Sequence, residues 1–199
     1  MRSAGTREIK ADGSALDEAL IKARAGDEAG FLLLWDAIQP RLLRYLQVAG
    51  CDDVEDVAGE TWLQVVRDLP KFKKDSADEF RAWLFTIARH RAIDAARSRK
   101  RFIEKILNAG PAHLPVIAGN PVEDEVLQQL STQQAVALVA ALSKDQAEVV
   151  ALRVIAGLDT EAVARLLRKS PGAVRIALHR GLRSLSDDPR IKQIEEVEP

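Results

Sequence analysis

The chain has 199 residues, with 29 Lys and Arg against 30 Asp and Glu, a formal net charge of -1 and 47% apolar residues. That apolar content argues against a disordered chain, and the near-zero charge is unlike the strongly basic footprint expected of a nucleic-acid binder. One cysteine, Cys51, excludes an internal disulfide framework and a Cys-based zinc cluster.

No stretch is apolar and charge-free for long enough to span a bilayer, and the first residues lack the apolar core of a signal peptide. The histidines at 90, 113 and 179 show no metal-ligand spacing. The expectation is a soluble cytoplasmic protein with no membrane insertion, no metal and no cofactor.

Residues 1–13 are polar and predict a flexible N-terminus. From Ser14 the apolar positions recur at helical spacing: Leu16, Ala19, Leu20 and Ala23, then Phe31, Leu34, Trp35 and Ile38, then Leu42, Leu43 and Leu46. Pro40 falls in this run, where it either opens a first turn or forces a kink. A helix from about Val54 to Leu69 would carry Val57, Thr61, Trp62, Val65 and Val66 inward and end at Pro70. After a charged loop, Lys73 to Asp78, a long helix is predicted to Arg101, burying Phe80, Trp83, Leu84, Ile87, Ala88 and Ile93.

Residues 108–121 hold two Gly and three Pro, the composition of an irregular linker. Helical spacing resumes near Val122 and lasts to about Leu142. Ser143 with Gln146 reads as a capping box for a helix ending at Gly157. Two shorter helices follow, about Asp159–Leu167 and Pro171–Leu185. No segment carries strand alternation. The fold class is therefore all-α. Two small helical domains, 14–101 and 122–186, are joined by a flexible linker at 102–121, and an acidic tail follows at 187–199.

The last two helices fit a helix-turn-helix. Ala164 suits a close helix approach, and Val163, Leu167, Val174 and Leu178 are spaced to fill a shared core. Ser170 and Pro171 make a good N-cap and first position. The second helix would present Arg175, Ile176, His179, Arg180 and Arg183 outward, its first turn toward a major groove. Residues 165–183 carry six cations and no acid. Arg168 stands at the turn position where glycine is usual, at a cost of about 1 kcal/mol for a left-handed residue, unless the turn is built differently.

Charge is segregated elsewhere too. Asp52, Asp53, Glu55, Asp56 and Glu60 form a run of five acids without a base. Acids at a helix N-terminus suit the macrodipole, which accounts for Asp52 and Asp53. It does not account for Asp56 and Glu60, four apart on one face. A row of acids repels DNA, so this face suits a basic protein surface. Residues 89–101 are +5, with Arg89, Arg91, Arg97, Arg99, Lys100 and Arg101 against Asp94. Cations following Phe80, Trp83 and Phe85 suit melted or single-stranded nucleic acid, although Trp83 falls on the apolar stripe and fits packing better.

These blocks resemble an extracytoplasmic-function (ECF, group IV) sigma factor of bacterial RNA polymerase, in the sigma-70 family. The resemblance covers about residues 14–186. It rests on Asp52–Trp62, on Phe80–Arg97, on Asp145–Arg153 and on the helix-turn-helix, in that order. It implies core RNA polymerase and promoter DNA as partners, with an anti-sigma factor as a further one. Asp52, Asp53, Glu55, Asp56 and Glu60 would dock on the β′ clamp helices, and the β flap would be a further polymerase contact. Lys73, Lys74, Asp75 and Ser76 would form the loop that captures a flipped -10 base. Trp83, Arg89, His90, Arg91, Arg97 and Arg101 would contact and melt the -10 element. Arg168, Lys169, Ser170, Gly172, Ala173, Arg175, Ile176, His179 and Arg180 would read the -35 element.

Three positions depart from the family pattern: Gly59 for Gln, His90 for Asn and Arg168 for Gly. Each bears on promoter or polymerase contacts, and His90 also reads as a plain surface histidine. The alternative function is a one-component helix-turn-helix regulator, which would share the C-terminal motif but not a polymerase-docking face. A catalytic role has no nucleophile elbow, P-loop or metal cluster behind it.

Overall fold

Gly30 sets the first packing contact of the chain. A Cβ at this position would lie 2.7 Å from the carbonyl oxygen of Ala19 and 2.9 Å from the backbone nitrogen of Ala23. Helix α1 (Gly13–Arg24) and helix α2 (Glu28–Val48) therefore meet backbone to backbone. The computed structural model describes residues 13–108 and 126–191. Residues 1–12, 109–125 with His113, and 192–199 lie outside the described residues. The expected linker at 102–121 therefore falls partly among them, while residues 102–108 continue the long helix past its expected end at Arg101.

Helix α3 (Val54–Asp68) follows, then a short 3₁₀ turn at Leu69–Lys71 that carries Pro70, then the long helix α4 (Ala77–Asn108). Asp27 caps α2, accepting the Ala29 N–H at 2.9 Å. Pro40 neither opens nor ends a helix: α2 runs through it, and Pro40 sits exposed on the outer side. Leu20, Leu34, Leu42, Leu46, Val65, Phe80, Leu84 and Phe85 are the largest fully buried side chains of this half. Tyr45 meets Phe85 edge-on at 5.3 Å, and Trp35 packs on Trp62 at 4.8 Å. The Trp62 indole N–H donates to Gln39 at 2.7 Å, so its polar end is satisfied. Buried Thr61 returns its hydroxyl proton to the carbonyl of Val57 at 2.8 Å, which removes its desolvation cost.

The second group of helices comprises α5 (Val126–Ala140), α6 (Lys144–Val150) with a widened turn at Ala151–Ile155, α7 (Thr160–Leu167) and α8 (Pro171–Ser186). Ser143 holds the N-cap position of α6, but its side chain makes no capping hydrogen bond, so the expected capping box is not formed. Val149, Val150, Leu152, Val163 and Val174 are fully buried. Gly181 lets α8 lie against α6, because a Cβ there would fall 2.7 Å from Val150 Cγ2. The described residues contain helices and turns only, as the periodicity predicts.

Two further expectations change. Val66 is half-exposed rather than inward, because it lies beyond the arc set by Val57, Thr61 and Val65. Ile93 and Trp83 are only partly buried, while Phe85 and Ala92 complete the stripe of α4.

Substitution at the glycines tests this packing. Gly30→Ala and Gly181→Ala should each lower unfolding stability by about 1–3 kcal/mol through overpacking. Gly59→Ala, in the interior of α3 with nothing within 4 Å of its Cβ position, should raise it by about 0.5–1 kcal/mol. Urea titration of the three variants checks both signs.

Candidate nucleic-acid interface

The five acids of α3 do not act as one row. Asp53 is the N-cap, accepting the Asp56 N–H at 3.1 Å. Asp52 pairs with Arg99. Glu60 lies 3.6 Å from the Arg91 guanidinium, which also donates to Gln64 at 2.8 Å. Glu55 and Asp56 are exposed and make no ion pair among the described residues. Leu63, two turns beyond Asp56 and on the same face, is 67% exposed. The outer surface of α3 is thus half acidic and half apolar, with a dent at Gly59.

The loop before α4 is pinned from α1. The Arg24 guanidinium donates to the carbonyls of Phe72 and Lys74, at 3.2 and 3.1 Å, and to the Asp75 carboxylate at 2.6 Å. Asp17 accepts the Ala77 N–H at 2.6 Å and so caps α4 from a distance of 60 residues. Lys74 pairs with Glu79 at 3.3 Å, and Lys73 is exposed. Ser76 is half-buried where the loop joins the helix. Sequence reading missed Arg24 and Asp17, because such contacts between distant residues leave no local pattern. Nothing sets them apart in the sequence from the other polar residues of α1, Ser14, Glu18 and Lys22.

Helix α4 sorts its cations by face. Trp83, His90, Arg97 and Arg101 recur at spacings of seven, seven and four, on one side of the helix. His90, Arg97 and Arg101 are exposed there. Arg97 has Asp94 at 3.6 Å, and Arg101 donates to the Ser98 hydroxyl at 3.2 Å. Trp83 is half-buried and stacks on Phe72 at 4.9 Å, with the rings 27° apart. Arg91 points instead to α3, and Arg89 pairs with Glu148 at 2.7 Å. The structure therefore places His90, Arg97 and Arg101 together and sets Arg89 and Arg91 apart from them.

The helix-turn-helix has the expected geometry. Arg168 does adopt the left-handed conformation, with φ 54° and ψ 45°, and its N–H and that of Lys169 close the end of α7. The turn is thus the ordinary one, held by an arginine. Ser170 caps α8, accepting the Ala173 N–H at 3.2 Å. Val163 and Val174 fill the shared core. Gly172, Ala173, Arg175, Ile176, His179, Arg180 and Arg183 are all exposed along α8. Arg175 has Glu161 at 3.5 Å, an exposed pairing of the kind worth little. Lys169 pairs with Asp145 and is mostly covered, so it faces α6 more than solvent.

Among the described residues no His, Cys, Asp and Glu group is arranged to hold a metal ion. Burial pushes the Cys51 thiol up, with Asp52 adding to the effect, which makes it a poor nucleophile at neutral pH. No described helix is long and apolar enough to cross a membrane.

Comparison with known proteins decides between the readings of this surface. Residues 34–102 match Sigma-70 region 2, and residues 132–185 match Sigma-70, region 4. The ECF RNA polymerase sigma factor BldN of Streptomyces coelicolor is 32% identical over 185 residues, covering 90% of this chain and 69% of that protein. SigD of Mycobacterium tuberculosis, an ECF RNA polymerase sigma factor, is 32% identical over 183 residues, covering 88% and 84%. The chain belongs to the ECF RNA polymerase sigma factors.

Two solved structures share the fold. CnrH, in complex with the cytosolic domain of CnrY, has a TM-score of 0.59 at 22% identity and covers 86% of this chain and 95% of its own. RpoE of Bartonella quintana, in complex with the anti-sigma factor NepR, has a TM-score of 0.60 at 21% identity and covers 85% and 98%. A region 2 match ahead of a region 4 match disfavours the one-component regulator, which needs only the helix-turn-helix.

The pinned loop yields a prediction. Asp17→Ala should cost about 1 kcal/mol, as loss of an N-cap does. Amide exchange at residues 73–77 should quicken more than elsewhere. Exchange that quickens equally across α2 and α4 would show a global effect and no specific cap.

Proposed function

We propose that this sigma factor binds core RNA polymerase in the cytoplasm, recognises the -10 and -35 promoter elements and promotes strand opening. Residues 14–101 serve docking and -10 recognition, and residues 122–186 serve -35 recognition. The observation that carries this reading is the separation of charge onto three helices. Exposed Glu55 and Asp56 lie on α3, exposed His90, Arg97 and Arg101 on α4, and exposed Arg175, His179 and Arg180 on α8.

Each face suits one partner. The acid and apolar surface of α3, with Leu63, fits a basic protein surface such as the β′ clamp helices. Exposed cations on α4 beside the Phe72–Trp83 stack suit a melted strand, where phosphates need countercharge and bases need a flat surface. The first turn of α8 enters a major groove, where Arg175 reaches a base edge and neighbouring cations hold phosphates. Lys73, Lys74, Asp75 and Ser76 form a loop whose backbone is fixed by Arg24, a rigid rim against which a flipped base could be held. The β flap is the second docking partner. As with the relative bound to NepR, an anti-sigma factor is a further partner. The chain itself supplies recognition and strand separation, and bond formation belongs to the polymerase.

Run-off transcription with purified core polymerase and a genomic promoter library tests the reading. Specific initiation that depends on this chain is the expected result; none would overturn it. Glu55→Lys with Asp56→Lys should weaken core binding by about tenfold or more, since like charges then face each other, without loss of helix content by circular dichroism. Arg175→Ala should cost about 1–3 kcal/mol on the cognate -35 duplex and little on a scrambled one. An equal loss on both duplexes would make Arg175 a phosphate contact.

A further inference from the structure

One acid reaches into a surface that is otherwise cationic. Residues 165–183 hold six cations and no acid. Glu161, in the first turn of α7, sets a carboxylate oxygen 3.5 Å from Nη2 of Arg175 on α8, and the guanidinium donates to it. An acid on a face that meets phosphate weakens binding to every sequence alike. Its presence therefore needs a compensating role.

The packing of the motif does not supply that role. Asp159 already caps α7, accepting the Ala162 N–H at 2.6 Å. Buried Val163 and Val174 close the joint between α7 and α8. The Arg175 and Glu161 side chains are 65% and 57% exposed, and an ion pair in that setting adds little stability. An acid in a first helical turn suits the macrodipole, but that benefit requires no contact with Arg175.

Arg175 is also set apart from the other cations of α8. Among the described residues, His179 and Arg180 make no ion pair. Arg183 has Asp187 at 3.9 Å, one turn on in its own helix. Only Arg175 is held from a second helix. Val174, its neighbour in sequence, is fully buried, so the backbone at 175 is anchored and the long side chain alone can swing.

An arginine loses rotamer freedom when it settles on a base, and a partner that restrains it beforehand lowers that cost. The carboxylate takes one hydrogen on Nη2. The other Nη2 hydrogen and those on Nη1 remain as a fork that matches O6 and N7 of guanine. When a duplex covers the pair and displaces water, the attraction between the two charges strengthens.

We propose that Glu161 is a positioning residue that aims Arg175 at one guanine of the -35 element, giving up affinity for all DNA in return for discrimination at that base pair. The proposal rests on the reading of α8 as the -35 helix and of Arg175 as its base-reading arginine. It adds that selectivity at this base pair is set from α7.

Holoenzyme reconstituted from the full chain and core polymerase is titrated with fluorescein-labelled promoter fragments found by run-off transcription. One fragment keeps the -35 element, one has it scrambled, and the others each carry a single substituted -35 base pair. Discrimination is the ratio of affinities for the intact and the substituted fragment. Arg175→Ala locates the base pair, because discrimination should collapse at one position. At that position alone, Glu161→Ala should cut discrimination about fivefold or more, part of what a bidentate arginine supplies. Binding to the scrambled fragment should tighten about twofold, since a charge that repels phosphate has gone. Glu161→Gln, which keeps an acceptor oxygen, should recover part of the discrimination. Glu28→Ala removes the same charge from the start of α2 and should match the unaltered chain on every fragment.

Undiminished discrimination at the Arg175 position in Glu161→Ala overturns the proposal. Equal weakening on every fragment, the scrambled one included, also overturns it, because that is the mark of a purely structural residue. If Arg175→Ala lowers discrimination at no single position, the base-reading assignment of Arg175 fails and the positioning role falls with it.

Discussion

The burial of Phe80, Leu84, Phe85, Ala88 and Ala92 fixes the rotation of α4 about its own axis, and most of the functional surface depends on that rotation. With this stripe facing the core, a residue's place on the outside is set by its number alone. His90, Arg97 and Arg101 must face solvent, Arg91 must face α3, and Arg89 must face the C-terminal helices. A rotation by one residue would bring a different set of cations out. The apolar stripe thus selects which charges reach a partner, and it does so without touching the partner.

The same packing changes the meaning of the charge count. The segment 89–101 is +5, but much of that charge is matched inside the molecule. Arg91 meets Glu60, Arg89 meets Glu148 and Arg99 meets Asp52. Pairs of this kind bring limited stability when exposed, yet they decide which groups are left to meet a partner. What remains on the surface is a small acidic and apolar face on α3 and two small cationic faces on α4 and α8. A near-neutral chain with such faces has little long-range attraction for phosphate. It gains specificity where a large partner adds surface to these faces.

The helices were legible because apolar periodicity is strong in this sequence, and several ends followed from Pro70, Asp159, Ser170 and Pro171, whereas α4 runs past the expected Arg101 to Asn108. The helix-turn-helix was legible except at Arg168, where the sequence left open whether an arginine takes the left-handed turn position; the structure shows that it does. The limits were of one kind. Periodicity reports burial and says nothing of which distant residue lies opposite. Asp17 as the cap of α4, Arg24 as the clamp of the loop, and Glu148 as the partner of Arg89 all join residues 48 or more apart. The acids of α3 were visible as a group, but their division into cap, paired and free members needed the position of α4. Val66 was misplaced for a similar reason: the width of the buried arc depends on the neighbouring helices.

Site-specific photocrosslinking in the assembled promoter complex tests the sorting of α4 most directly. Probes placed at positions 97 and 64, on the outer face of α4 and on the α3 side facing Arg91, are compared in one open complex. The account predicts cross-links from position 97 to the non-template strand and none to DNA from position 64. Cross-links to DNA from position 64 with none from position 97 would contradict it.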